Sequence, residues 1–290
     1  MSLKLFAKLT DDEAKHANDV VCLLYNNGLL ISGADDGKIK IWTSDLKPVA
    51  SIDAHPVNVY SVAVVGDTLY SCSNDGTLKA WNIGTWDLKK NLLENQQSEI
   101  IKVVSDQGRL YAGNEQGDVF VFENDELFAT YYLHEDIADI LVIGNLVFNA
   151  RNVDVSVTEM MPGPRFGYMS RGAMIGRFPV RKVGDKVCFL SRCAKQVYVH
   201  HSTKEEKFKR VAEIKAHDMT ISAMTHVPGK EHIMVSGGYD RVLKAWDINT
   251  KKMLAKVDLG VCINDICPGD EGKLYVSSSE GYICMVDALF

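Results

Sequence analysis

No run of apolar residues in this sequence approaches the ~18 that a membrane-spanning helix needs. The N-terminus lacks a basic-then-apolar leader, so no secretory signal is read and no membrane association is expected. Positive charge is in short supply: 32 Lys and Arg stand against 38 Asp and Glu, a net charge of −6. A phosphate backbone is usually met by a basic surface, so nucleic acid is disfavoured as the main ligand. Catalytic signatures are missing as well. There is no phosphate-cradling GxxxxGK[ST], no GxSxG and no HExxH. No stretch combines caps with the 3.6-residue period of a long helix. The seven cysteines are an odd number and sit mostly inside apolar stretches. That pattern describes reduced thiols in a cytoplasmic or nuclear protein, not a disulfide framework.

What the chain does contain is itself, repeated. "GLLISGADDGKIKIW" (28–42) returns as "DTLYSCSNDGTLKAW" (67–81), "GRLYAGNEQGDVFVF" (108–122), "EHIMVSGGYDRVLKAW" (231–246) and "GKLYVSSSEGYICMV" (272–286). Each copy is an apolar strand, a polar turn and a second alternating strand that ends on a bulky residue. Asp36-Gly37 and Asp75-Gly76 are hairpin-turn chemistry, because glycine accepts the positive φ such turns need. The closing residues Trp42, Trp81, Phe122, Trp246 and Val286 fall about forty residues apart, save for one long interval before Trp246. Two degenerate copies, "GNLVFNARNVDVSVTEM" (144–160) and "GDKVCFLSRCAKQVYVHH" (184–201), fill that interval. In the second unit, residues 59–65, 68–73 and 77–83 read as strands and 87–94 as a weaker fourth. Four short antiparallel strands per unit, in seven units, is the pattern of propeller blades.

These residues resemble the WD-repeat family of β-propellers. In that family a His before the first strand, a Ser on the second, an Asp in the next turn and a Trp on the third form a hydrogen-bonded set. The pattern matches three times: His16, Ser32, Asp36 and Trp42; His55, Ser71, Asp75 and Trp81; His217, Ser236, Asp240 and Trp246. Ser to Asp is four residues and Asp to Trp six in every set. Histidine can bridge a donor and an acceptor, serine does both and tryptophan only donates, so a closed set buries polar groups without leaving one unmet. The histidines are read as structural, and the remaining blades as held by apolar packing alone. The resemblance implies an all-β, seven-bladed propeller of four-stranded antiparallel blades. The alternation of "LKLFAKLT" (3–10), and the likeness of its "LFAKLT" (5–10) to "MLAKVD" (253–258), mark an opening strand that supplies the fourth strand missing from 261–290. One propeller domain over 1–290, with almost nothing left over, is expected.

Residue chemistry beyond that frame is sparse. Cys188 and Cys193, and Cys262 and Cys267, are spaced to face opposite sides of a strand and are read as buried thiols, not metal ligands. His200-His201, beside "STKEEKFKR" (202–210), is assigned to a solvated loop, and so are Asp11-Asp12 and Glu205-Glu206. No catalytic residue, cofactor or metal is expected, and the protein is read as a non-enzyme. In the WD-repeat family peptide contacts often come from the position three after the His and from the one before the turn Asp. Carried over, these are Asp19, Asn58 and Thr220, and Asp35, Asn74 and Tyr239. Strand alignment adds Glu99, Asp136 and Glu115. Five of the nine are acidic, which favours a basic peptide or protein patch; the plainer reading is that surface loops are polar anyway. Arg165, Phe166, Tyr168, Arg171 and Arg177, in the Pro- and Gly-rich break at 159–182, form a second candidate docking patch, with drift of a degenerate blade as the alternative. Trp86 is an isolated further candidate on the wider face, with a partly packed loop tryptophan as the favoured reading. The leading expectation is a monomeric protein-interaction scaffold within a multi-protein complex. The alternatives are a substrate-recognition module for a ubiquitin ligase or kinase, an RNA or ribonucleoprotein component, and an enzyme using the channel mouth.

Overall fold

A computed structural model describes residues 2–9, 14–94, 97–161 and 167–290. Twenty-eight strands form seven four-stranded antiparallel sheets. β1 (Ser2–Lys8) stands apart from its neighbours in the chain. Blade 1 is β2 (Val20–Asn26), β3 (Leu29–Ala34), β4 (Lys38–Thr43) and β5 (Pro48–Asp53). Blade 2 is β6 (Val59–Val65), β7 (Thr68–Ser73), β8 (Leu78–Asn82) and β9 (Leu88–Leu93). Blade 3 is β10 (Ile100–Asp106), β11 (Arg109–Asn114), β12 (Asp118–Glu123) and β13 (Glu126–Tyr132). Blade 4 is β14 (Asp139–Ile143), β15 (Leu146–Ala150), β16 (Asp154–Met160) and β17 (Tyr168–Ile175). Blade 5 is β18 (Arg177–Val183), β19 (Lys186–Leu190), β20 (Gln196–His201) and β21 (Arg210–Lys215). Blade 6 is β22 (Ile221–Val227), β23 (Lys230–Gly238), β24 (Val242–Asp247) and β25 (Met253–Asp258). Blade 7 is β26 (Ile263–Pro268), β27 (Lys273–Ser278) and β28 (Ile283–Leu289), completed on its outside by β1.

The closing strand follows from its pattern. β1 pairs with β28 from Ser2↔Leu289 to Lys8↔Cys284, and Leu3 is buried in the core between blades 6 and 7. The first strand of each blade is innermost and touches the first strands of both neighbouring blades, so β2, β6, β10, β14, β18, β22 and β26 ring a central channel. The apolar core lies between blades. Ile31, Ile39 and Ile41 of blade 1 pack on Val59, Val62, Leu69 and Trp81 of blade 2. Burial on both faces is why these inner strands read as nearly continuous apolar runs rather than clean alternations.

The Asp36-Gly37 turn seats the next blade. Gly37 has φ +75°, and a Cβ there would lie 2.2 Å from the His55 carbonyl oxygen. Its own carbonyl accepts the N–H groups of Ala54 and His55 at 3.1 and 3.0 Å. Only glycine fits that backbone conformation and that close approach.

Every outer strand carries a bulge at the same place, opposite the Trp position of the third strand. The residues squeezed out are Phe6, Val49, Lys89, Phe128, Arg171, Val211 and Leu254. A bulge increases local twist and turns an exposed edge away from another edge. Nothing in the period-two pattern announces it.

Candidate protein-binding face

The loops at one end of the ring are held by the buried polar sets. In the first, Trp42 Nε1–H donates to Ser32 Oγ at 2.9 Å, Ser32 lies 2.8 Å from His16 Nε2, and His16 Nδ1 lies 3.0 Å from Asp36 Oδ2. In the third, the corresponding distances through Ser236, His217 and Asp240 are 3.1, 2.8 and 2.7 Å. Since the carboxylate can only accept, His Nδ1 carries the hydrogen that points at it, and Nε2 of the neutral ring accepts from the serine hydroxyl. The second set has a member the pattern did not announce. His55 Nδ1 meets Thr77 Oγ1 at 2.8 Å, and Thr77 O–H donates onward to Asp75 at 2.6 Å, leaving His55 and Asp75 3.5 Å apart. A lysine two residues before each Trp completes the sets. Lys40, Lys79 and Lys244 each reach a carbonyl just ahead of the His, on Ala14 and Lys15, Ala54, and Ala216. The thrice-recurring Lys-x-Trp was the signal for it.

Burial and charge oppose each other here. Burial raises the carboxyl of Asp36, but the hydrogen bond and charge of His16, with the N–H groups of Lys38 and Ala17, hold it below the usual carboxylate range. Asp240 is held down in the same way by His217. Burial pushes the His55 imidazole down to about 4, against the pull of Asp75.

The other blades are not held by apolar packing alone, which corrects that expectation. Asn149 stands at the serine position of blade 4, fully buried, and donates to the carbonyls of Glu135 and Asp136 at 3.4 and 3.2 Å. Asn114 and Asp118 close the turn of blade 3. His200 is likewise not in a solvated loop. It lies on β20 at the Trp position of blade 5, 7% exposed, with its ring 4.7 Å from that of Phe189 and Nδ1–H donating to the Phe208 carbonyl at 2.8 Å. His201, on the same strand, meets Glu206. Cys188 and Cys267 are buried thiols, whereas Cys262 is half-buried and Cys193 exposed in the β19–β20 turn. Asp11 and Asp12 lie outside the described residues. Among the described residues no group of His, Cys, Asp and Glu is placed to hold a metal.

The two classes of rim residue meet blade by blade. The N–H of Asp35 donates to the Asp19 carbonyl at 3.0 Å, that of Glu115 to Glu99 at 3.1 Å, and that of Tyr239 to Thr220 at 3.0 Å. Asn58 and Asn74 lie at the same places in blade 2, and Asp136 stands exposed at the entrance to blade 4. Burial pushes the Asp35 carboxyl up, and the neighbouring charges of Asp19 and Asp36 push it further. Two residues join the rim unannounced: Tyr60, whose hydroxyl donates to Glu99 at 3.1 Å, and Glu280, whose N–H donates to Asp19 Oδ1 at 3.0 Å. Val57, Met219 and Tyr239 add exposed apolar surface beside the acids.

Inside the rim a cavity of about 260 Å³ opens into the channel between Tyr60, Phe178, Asn264 and Asp265. Four charges from four blades converge there. Asp139 holds Arg181 at 2.5 Å and Lys102 at 3.4 Å, and Asp265 accepts the Leu23 N–H at 3.0 Å. Burial raises Asp139, yet Arg181 and Lys102 outweigh it and keep the carboxyl low; Asp265, without a direct cation, is raised by burial.

The second patch is only partly in view. Arg165 and Phe166 lie outside the described residues, while Tyr168 and Arg171 sit on the outer strand of blade 4 and Arg177 opens blade 5. Trp86 sits in the β8–β9 turn at φ 64°, packed against the core between blades 1 and 2.

The WD40 family profile (WD domain, G-beta repeat) matches residues 11–43, 46–82 and 208–247, the three units whose polar sets are complete. The chain is a seven-bladed β-propeller that carries three WD40 repeats. The crystal structure of the WD40 β-propeller domain of Doa1 superposes with a TM-score of 0.80 over 98% of this chain and 96% of that one, at 14% identity, a likeness of fold. Among curated proteins, the target of rapamycin complex subunit wat1 of Schizosaccharomyces pombe is 28% identical over 113 residues, 37% of this chain and 36% of that protein. The nuclear distribution protein nudF of Aspergillus niger is 24% identical over 98 residues, 33% of this chain and 22% of that protein. The matched segments thus span between about a fifth and just over a third of these relatives. WD40 propellers generally serve as protein-interaction scaffolds and are typically non-catalytic.

Proposed function

We propose that this WD-repeat propeller is a non-catalytic scaffold subunit that receives a basic peptide, or a basic patch of a partner protein, on the rim carrying Asp19, Asp35, Glu99, Glu115 and Asp136. The observation that carries the reading is the pairing of Asp19 with Asp35, next to Asp36. Like charges are held together by a backbone hydrogen bond, and Asp35 is pushed up by burial first and by the charges of Asp19 and Asp36 in addition. A lysine or arginine arriving there relieves that repulsion, and the acids on neighbouring blades speed the encounter. Exposed Val57, Met219 and Tyr239 supply apolar contact for the same ligand. The relative named as a complex subunit supports a role as one component among several.

The test is fluorescence anisotropy with a labelled Lys/Arg-rich peptide, alongside capture of partners on immobilised protein. Asp19→Lys with Asp35→Lys should weaken peptide binding by about tenfold or more, since each 1.4 kcal/mol is a factor of ten. Raising the salt past the point where the screening length falls below ~8 Å should weaken the wild type in the same direction. Undiminished binding by the folded double variant would remove the reading.

A further inference from the structure

The outer strand of blade 4 is unlike the other six. Among the described residues each blade ends on an outer strand that pairs with no further strand, a template for another strand unless charge, proline or a bulge blocks it. β1 carries Lys4 and Lys8, β5 Pro48 and Asp53, β9 Lys89 and Lys90, β21 Arg210, Glu213 and Lys215, and β25 Lys256 and Asp258. β17 is the longest of the seven at 8 residues, and all but Met174 are exposed. Its one charge, Arg171, is bound to Glu159. β13 is as poor in charge but buries Ala129 and Tyr131. Along β17, Tyr168, Met169 and Ile175 are 42, 45 and 64% exposed.

The surroundings of this edge are basic at both ends. At one end Glu159 takes Lys204 at 2.6 Å as well as Arg171, so two cations share one carboxylate. At the other, beside Ile175, Arg177 Nη2 donates to Asn152 Oδ1 at 3.3 Å and Arg192 Nε to the Val153 carbonyl at 3.0 Å. Neither meets a carboxylate among the described residues, and Arg177 Nε is buried without a partner. Residues 151–215 hold 14 Lys and Arg against 6 Asp and Glu, in a chain whose net charge is −6. Residues 151–215 are therefore net basic within an acidic chain.

We propose that blade 4 takes an extended acidic segment of a partner protein as a fifth strand along β17. Strand addition supplies backbone hydrogen bonds, and apolar side chains on one face of the segment cover Ile175, while Met169 lies on the opposite face of the sheet across the bulge at Arg171. The bulge at Arg171 interrupts the ladder, so backbone pairing alone is weak, and the cations at the two ends of the strand provide the remaining attraction and choose the charge of the occupant. The site is separate from the acidic rim and does not depend on the reading given for it.

The probe is a labelled peptide of about eight residues, the length of a strand, alternating Val or Thr with Glu. Wild-type protein should bind it, and saturation should slow hydrogen exchange at β17 amides. Two variants test the two halves of the idea. Ala173→Pro removes an edge donor, and Arg177→Glu with Arg192→Glu reverses the charge. Each should weaken binding about tenfold, and a Lys-for-Glu version of the peptide should not bind. Asp19→Lys with Asp35→Lys should leave the acidic peptide's affinity unchanged, which separates failure here from failure at the rim. No binding by wild type, equal binding of the Lys version, or protection of amides elsewhere than β17 would overturn the proposal.

Discussion

Ser71 has no slack. Its hydroxyl accepts from Trp81 Nε1 at 2.9 Å and lies 2.8 Å from His55 Nε2, with all three side chains buried. Ser71→Ala leaves two buried polar atoms unmet at ~1–3 kcal/mol each, so a loss of about 2 kcal/mol or more in denaturant unfolding is expected, against almost none for an alanine at exposed Ser51. His55 adds a pH dependence. Unfolded, it takes a proton near its ordinary value of 6.5; folded, burial delays this to about 4. Between those values the unfolded chain binds more protons, so stability falls as the pH is lowered from 6.5 towards 4, by roughly 3 kcal/mol from this group alone. A pH series of urea midpoints on wild type and on His55→Gln reads it directly: the variant's curve should be flatter through that window. The polar sets were legible because serine, histidine, aspartate and tryptophan recur at one spacing. Asn149 was not, because its partners are backbone carbonyls, which no residue type marks.

At the scale of elements, β1 closes blade 7. Without it β28 is an open edge, and Leu3 no longer fills the core with Leu243, Ala245 and Val286. Leu3→Ala should cost ~2–5 kcal/mol, the range for a buried leucine. A chain lacking residues 2–8 should self-associate and lose its sharp thermal transition, and both effects should be reversed by excess of a synthetic peptide of those residues. Size-exclusion elution and melting curves identical to those of the intact chain would contradict this. Alternation in "LKLFAKLT" and its likeness to "MLAKVD" made the pairing readable in advance. His200 was misplaced because the stretch that follows it in sequence is charged; its burial comes from Phe189 on the adjacent strand β19 and from Phe208 in the β20–β21 turn, which folds back over it.

At the scale of the whole molecule, acids gather on the rim at Asp19, Asp35, Glu99, Glu115 and Asp136, while residues 151–215 are net basic. The two binding sites proposed above, for partners of opposite charge, rest on that separation. The four channel charges show what closure adds: Lys102, Asp139, Arg181 and Asp265 come from four blades and meet only because the inner strands form a circle. The amino-acid sequence by itself determined the number of blades, the three polar sets and the closing strand, because each depends on local spacing or on likeness between repeats. Tertiary structure alone decided which charges face one another, which outer edge is left poorly guarded, and how the degenerate blades bury their polar groups. Those outcomes depend on distances between residues far apart in the chain, and repetition carries no record of them.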